Sequence, residues 1–266
     1  MNIREKLIQH ALEYLLINNK RLMNVVEIGC MYNENEGLST YKIADTLHSH
    51  ATNFNFFSLE YDPEHIESCQ RIIKKYNSEL TDKINFVQGH SLKNLPAVCK
   101  QAATIHFALI DGGAHPEVNL CEFELIVDAL DPDGIILIDD TQTVDPNSNY
   151  FLRRPFGKAT LVYPTLIVNE YTSHRAEIMN VNFSNDDVVE YTSKFLKQWN
   201  ISDTLHDHKN LSYMMISYYG HSLMAVGRAD TLQKLASEVK KNQKFISLKK
   251  IKRSLKMLFG EEITIC

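Results

Sequence analysis

The sequence predicts an α/β fold, a doubly wound and mostly parallel seven-stranded sheet with a C-terminal antiparallel hairpin. Three observations lead there. Between Met23 and Thr141, short β-branched or aromatic runs alternate with amphipathic stretches at the rhythm of strand, helix, strand. Several of those runs end on glycine or an acid, as strands feeding a ligand crevice do. Near the end of the chain, Gly220-His221 splits two further apolar runs, Ser212–Tyr219 and Ser222–Gly227, as a hairpin turn would.

Each element follows from local pattern. Ile3, Leu7, Ala11 and Leu15 recur at helical spacing and predict an N-terminal amphipathic helix. Arg4, Glu5, Lys6, Glu13 and Lys20 interrupt that stretch, so it has no continuous apolar leader region. Strands are expected over Asn24–Ile28, Phe54–Leu59, Ile84–Val87, Ile105–Ile110 and Gly134–Ile138. Helices are expected over Thr40–Leu47, Pro63–Tyr76, Leu92–Ala102 and Pro116–Ala129. Residues 142–158 are turn-rich and read as a loop or lid, and Ala159–Val168 reads as another strand. One main domain is expected over 1–228, including the N-terminal helix and a 142–210 lid and substrate region. A basic helical extension would follow over 229–266, carrying nine Lys/Arg against four Asp/Glu. Its leucine-lined face reads as a helix docked on the domain, with an anionic lipid or acidic partner as the alternative.

Composition narrows the class. The 266 residues carry a formal charge of −5, with 44% apolar and 23% charged residues, which excludes collagen-like, disordered and disulfide-scaffold chains. A pI of about 6.1 supplies no global positive field for nucleic acid, so no nucleic-acid partner is expected. No apolar run approaches the roughly 18–20 residues that cross a bilayer, so no membrane span is expected. The five cysteines are scattered without metal-ligand spacing and read as reduced thiols, which points to a cytoplasmic location. Both terminal helices offer surfaces for a homo-oligomer.

The chemistry sits after the strands. Val25-Val26-Glu27-Ile28-Gly29 leads into a polar loop that reaches Gly37-Leu38-Ser39-Thr40, a strand and glycine-containing turn that lets backbone approach a ligand. No GxGxxG fingerprint is present, which argues against a dinucleotide. The second strand ends Leu59-Glu60-Tyr61-Asp62-Pro63, with an acid placed to accept both hydroxyls of a ribose. The third ends Val87-Gln88-Gly89-His90-Ser91. On these motifs, residues 22–141 resemble a class I S-adenosylmethionine-dependent methyltransferase. The resemblance implies the Rossmann-like methyltransferase fold, with Glu27, Gly29 and Ser39 near the amino-acid part of the cofactor. It also implies Glu60 on the ribose, and His90 or Ser91 at the adenine. The Gly29 to Gly37 loop is longer than the family's short form, and His90 stands where the family often has an acid.

Carboxylates form the second signal. Asp111 follows the fourth strand (HFALIDGGAH), and Asp139-Asp140 follow the fifth (GIILIDDT). Adjacent parallel strands bring all three to one edge of the crevice. Three hard oxygen donors around an open position suit Mg²⁺ or another divalent cation. Alternatively, Asp139 and Asp140 cap the next turn and Asp111 opens an Asx-turn. With these residues the resemblance narrows to metal-dependent O-methyltransferases, most like the macrocin-type sugar O-methyltransferases. It implies Asp111, Asp139 and Asp140 as metal ligands, with Asp111 also at the cofactor's edge and, with His115, in the catalytic pair. His115 lies four residues after Asp111, one further than that branch's spacing, and before Pro116 it could instead cap a helix.

The expected reaction is methyl transfer to a hydroxyl of a small molecule, a sugar or other vicinal-oxygen compound in secondary metabolism or glycan tailoring. The metal would lower the hydroxyl's pKa and His115 would take its proton. Arg153 and Arg154 of the lid could meet the acceptor or be solvated. His206-Asp207-His208 reads as an exposed turn rather than a metal site. Competing readings are metal-free methyl transfer to nitrogen or carbon with an Asp/His base, and a non-catalytic cofactor-binding scaffold.

Overall fold

The computed structural model describes residues 3–18, 22–35, 37–51, 53–113, 116–141, 157–159, 162, 208, 210–218 and 221–243. Helix α1 (Ile3–Asn18) leads into strand β1 (Leu22–Ile28), helix α2 (Ser39–His50) and strand β2 (Asn53–Glu60). Helix α3 (Pro63–Tyr76), a short 3-10 helix (Ser78–Lys83), strand β3 (Ile84–Gln88) and helix α4 (Ser91–Ala102) follow. Strand β4 (Ile105–Ile110), helix α5 (Pro116–Val127) and strand β5 (Leu130–Ile138) complete the alternating part. After a 3-10 turn at Gly157–Ala159 come strands β6 (Ser212–Tyr218) and β7 (His221–Gly227) and helix α6 (Ala229–Gln243). The expected strands and helices are all present in the alternating region. Ala159, expected to open a strand, lies instead in the 3-10 turn.

The seven strands form one sheet in the order β3-β2-β1-β4-β5-β7-β6. β1 to β5 are parallel, and β7 runs antiparallel to both β5 and β6. The reversal of strand order beside β1 is the switch point at which such sheets open a crevice. β4 is buried along its whole length, as a strand covered by helices on both faces must be. Alternate residues feed two cores. Val25, Phe107, Leu109, Ile135 and Leu137 point to one face, where α1, α2, α3 and α6 supply Leu12, Leu47, Ile73 and Leu232. Val26, Ala108, Ile110, Ile136 and Ile138 point to the other, against Leu95 of α4 and Phe123 of α5. This period of two is why a one-residue slip of any central strand is excluded.

Local signals set the element ends. Asp62 caps α3 by accepting from the Glu64 backbone N–H at 2.9 Å, and Pro63 occupies the first turn, where its missing N–H costs nothing. The ladder also runs one residue past the strands: Gly29 N–H donates to the Leu59 carbonyl (2.9 Å) and Gly89 N–H to the Glu60 carbonyl (2.8 Å). Asp111 N–H donates to the Ile28 carbonyl (2.8 Å) and Asp139 N–H to the Ile110 carbonyl (3.0 Å). The residues that end β1 to β5 are thereby held along one carboxyl edge.

Candidate functional site

The first wall of the site is the β1–α2 connection. Gly29 adopts φ +87°, and a Cβ there would meet the Asp111 carbonyl oxygen at 2.7 Å, so both conformation and space require glycine. Glu27 is fully buried, with its two oxygens accepting from Ser39 Oγ (2.8 Å) and Ser58 Oγ (2.9 Å). Burial pushes its carboxyl up to about 7, against the pull of hydrogen bonds from Thr40, Ser39 and Ser58. Glu27 therefore ties the loop to β2 and α2. Thr40 Oγ1 accepts from Met31 N–H at 3.0 Å, and Glu5 of α1 accepts from Leu38 N–H at 3.1 Å, so the loop is held at both ends.

Glu60 ends β2 with its carboxylate at the loop. One oxygen accepts from Cys30 N–H (3.2 Å) and the other from Asp62 N–H (3.0 Å). Each carboxylate oxygen carries a further lone pair, which suits two neighbouring hydroxyls of a ribose. After β3, His90 caps α4 through Nδ1, which accepts from Leu92 N–H at 3.3 Å, and its ring meets the exposed Tyr61 edge to face at 6.4 Å. Ser91 Oγ donates to Glu122 Oε1 of α5 at 2.5 Å. Burial pushes Glu122 up to about 7, against the hydrogen bonds from Ser91 and Asn119 and the charge of Lys158.

The acids after β4 and β5 do converge, but not around an open position. Arg4 of α1 pairs with Asp111 Oδ2, and its Nε lies 2.8 Å from Asp139 Oδ2. Lys158 Nζ donates to Asp111 Oδ1 (3.0 Å) and the Asp111 carbonyl (3.2 Å), and lies 3.2 Å from Asp140 Oδ2. The mutual repulsion that sequence reasoning assigned to a metal is thus countered by two cations of the chain. Burial depresses the Lys158 ammonium's pKa, but Asp111, Asp140 and Asp139 outweigh it and hold the pKa above the usual amine range. Asp139 is raised to about 6 by burial and by the Asp111 charge, with Arg4 opposing. Asp140 takes a positive φ of 51° at the sharp turn leaving β5, a conformation Asp tolerates better than most residues.

Sequence reasoning missed Arg4 and Lys158. Arg4 counted only as a charge interrupting an apolar stretch, and Lys158 closed a turn-rich segment with no periodicity around it. His115, the lid residues Arg153 and Arg154, and His206 and Asp207 lie outside the described residues. His208 corrects the exposed-turn expectation: its Nε2 lies 3.0 Å and 3.1 Å from the Glu124 oxygens, with its ring against Phe123. Among the described residues, no group of three or more His, Cys, Asp or Glu is disposed to hold a metal ion. Nor is any helix there long and apolar enough to cross a membrane.

Residues 26–141 match the family model described as a methyltransferase domain. No protein of curated function matches the chain in sequence. Among solved structures, the chain is similar to the O-methyltransferase from Bacillus cereus in complex with SAH. The two are 16% identical with a TM-score of 0.51, and the match covers 86% of this chain and 82% of that one. It is also similar to the O-methyltransferase of Streptomyces achromogenes involved in tomaymycin synthesis, in complex with SAM. That pair is 12% identical with a TM-score of 0.50, over 86% of this chain and 81% of that one. The fold is therefore the Rossmann-like fold of the class I methyltransferases, and the segment that matches their domain model is the one whose strand ends build this site.

Proposed function

We propose that this chain transfers a methyl group from S-adenosylmethionine to a hydroxyl oxygen of a small molecule. The observation that carries the reading is Glu60, a carboxylate braced by the Cys30 and Asp62 amides at the strand end beside the Gly29 turn. A carboxylate at that strand end suits the two hydroxyls of a nucleoside ribose. In this reading Gly29 and the Ser39 end of the loop lie near the amino-acid part of the cofactor, with Glu27 bracing them. His90 and Ser91 flank the adenine, and Asp111 borders the site. The bound cofactor supplies an electrophilic sulfonium methyl, so the chain has only to align an oxygen with it, exclude water and accept a proton. His115 is the proposed proton acceptor, with Asp111 of the same connection beside the acceptor. Both solved relatives named above are O-methyltransferases by description, which favours oxygen over nitrogen or carbon. The macrocin-type resemblance favours a sugar or another compound with two neighbouring oxygens.

A divalent metal fits the kind of donor present but not its arrangement. Asp111, Asp139 and Asp140 are hard oxygen ligands, yet Lys158 Nζ stands between Asp111 and Asp140 while Arg4 joins Asp111 to Asp139. A dication held by these acids would stand beside the Lys158 ammonium and the Arg4 guanidinium, like charges that the present pairing does not bring together.

The test is calorimetric titration with S-adenosylhomocysteine, followed by a radiolabelled methyl-transfer screen over vicinal diols and amines. The reading expects 1:1 binding and label on oxygen. Label on nitrogen or carbon would overturn the acceptor chemistry, and no binding would overturn the whole reading.

A further inference from the structure

We propose that Lys158 and Arg4 are a built-in replacement for a divalent cation, so that the carboxylate cluster at the ends of β4 and β5 works without metal. The inference rests on the proposed methyl transfer only for what the cluster serves; the occupancy of the cluster is a property of the chain itself. An ammonium has three N–H donors, and Lys158 has three oxygens within reach, at 3.0, 3.2 and 3.2 Å. Its side chain is 5% exposed, so this is an interior ion and not a surface lysine that folded inward. Its backbone is fixed as well: Lys158 N–H donates to the Asp140 carbonyl at 3.1 Å. The neighbouring Ala159 and Val162 are fully buried in the α4–α5 core, which anchors the turn.

Arg4 is carried by an equally anchored element. Ile8, Ala11 and Leu12 of α1 are completely buried, and the guanidinium spans Asp111 and Asp139. Together the two cations touch all three carboxylates, and each is shared between two of them. Two unit charges against three carboxylates cut the cluster's charge from −3 to −1 without help. A dication would have to displace Lys158 from Asp111 and Asp140, and then coexist with the displaced ammonium. A lysine also cannot dissociate, so the cluster's geometry is independent of metal supply.

The experiment titrates full-length protein with Mn²⁺, reading free hexaaqua ion by electron paramagnetic resonance, and records thermal denaturation with MgCl₂ and with EDTA. Wild type is expected to take up no Mn²⁺ at about 1 mM, and its Tm is expected to be the same in both buffers. Lys158→Met vacates the position between two carboxylates and should bind Mn²⁺ at least about tenfold more tightly than wild type. One Mn²⁺ per wild-type chain at micromolar affinity, abolished by Asp140→Asn, would overturn the proposal, as would a wild-type Tm lowered by EDTA. A folded Lys158→Met with no gain in Mn²⁺ affinity would also overturn it. If Lys158→Met fails to fold, the wild-type titration decides alone. S-adenosylhomocysteine binding, measured in parallel in EDTA, reports separately on the proposed function: its failure removes that reading and leaves the cation result standing.

Discussion

Replacing Gly29 by alanine probes the join between the β1–α2 loop and the acid cluster. The residue holds φ +87°, and an added Cβ would lie 2.7 Å from the Asp111 carbonyl oxygen, 2.8 Å from its carbon and 2.9 Å from Gly112 N. The left-handed conformation costs an L-residue about 1–2 kcal/mol. The overlap is with backbone, which cannot swing aside, and overpacking of that kind costs about 1–3 kcal/mol. Lower entropy of the unfolded alanine chain returns about 0.5–1 kcal/mol. The net expectation is a loss of about 2–3 kcal/mol. With a urea m-value of about 3 kcal/mol/M for a chain of this size, the unfolding midpoint should fall by close to 1 M. Because relief requires β1 and β4 to part at their carboxyl ends, S-adenosylhomocysteine affinity should fall as well. A midpoint within about 0.2 M of wild type and unchanged affinity would refute the close approach on which the site is built.

Glu27 and Glu122 are raised to about 7, so the folded state holds protons there that the unfolded chain releases near its ordinary 4.5. Stability should therefore fall as pH rises from about 4.5 to 7, by up to about 3 kcal/mol per group, and Tm measured at pH 5 and 8 should differ less in Glu27→Gln than in wild type. Lys158, raised above the amine range, adds no slope in that window. Asp62→Ala removes the α3 cap and should cost about 1 kcal/mol, seen calorimetrically as a Tm lowered by about 2–4 °C. Glu60→Ala should weaken S-adenosylhomocysteine by about 10- to 100-fold in calorimetry, the loss of charge-assisted hydrogen bonds to the ribose. An unchanged affinity would remove Glu60 from the cofactor site.

Much of this architecture was legible in the sequence because parallel strands covered on both faces must be apolar throughout. Ile105–Ile110 was expected with its observed bounds, and Pro63–Tyr76 was delimited by a cap and a proline. The convergence of Asp111, Asp139 and Asp140 also followed from strand order alone. What periodicity does not encode is which distant side chain reaches a strand end. Arg4 meets Asp111 from 107 positions away, and Lys158 meets it from 47, through elements whose pattern speaks only of their apolar face. The sequence therefore presented a negative cluster and suggested an external cation, but gave no sign that Arg4 and Lys158 pair with the same three acids. His208 was misjudged for a similar reason: its polar neighbours gave no hint of Glu124 and Phe123 beneath it.

On the proposed function, the carboxyl ends of β1 to β4 form an S-adenosylmethionine site organised by Glu60. The most direct test is calorimetric titration of the full chain with S-adenosylhomocysteine, beside Glu60→Ala with its fold verified by circular dichroism. One site per chain is expected in wild type and a strongly weakened one in the variant. No heat of binding from either S-adenosylhomocysteine or S-adenosylmethionine to the folded wild-type protein would contradict it.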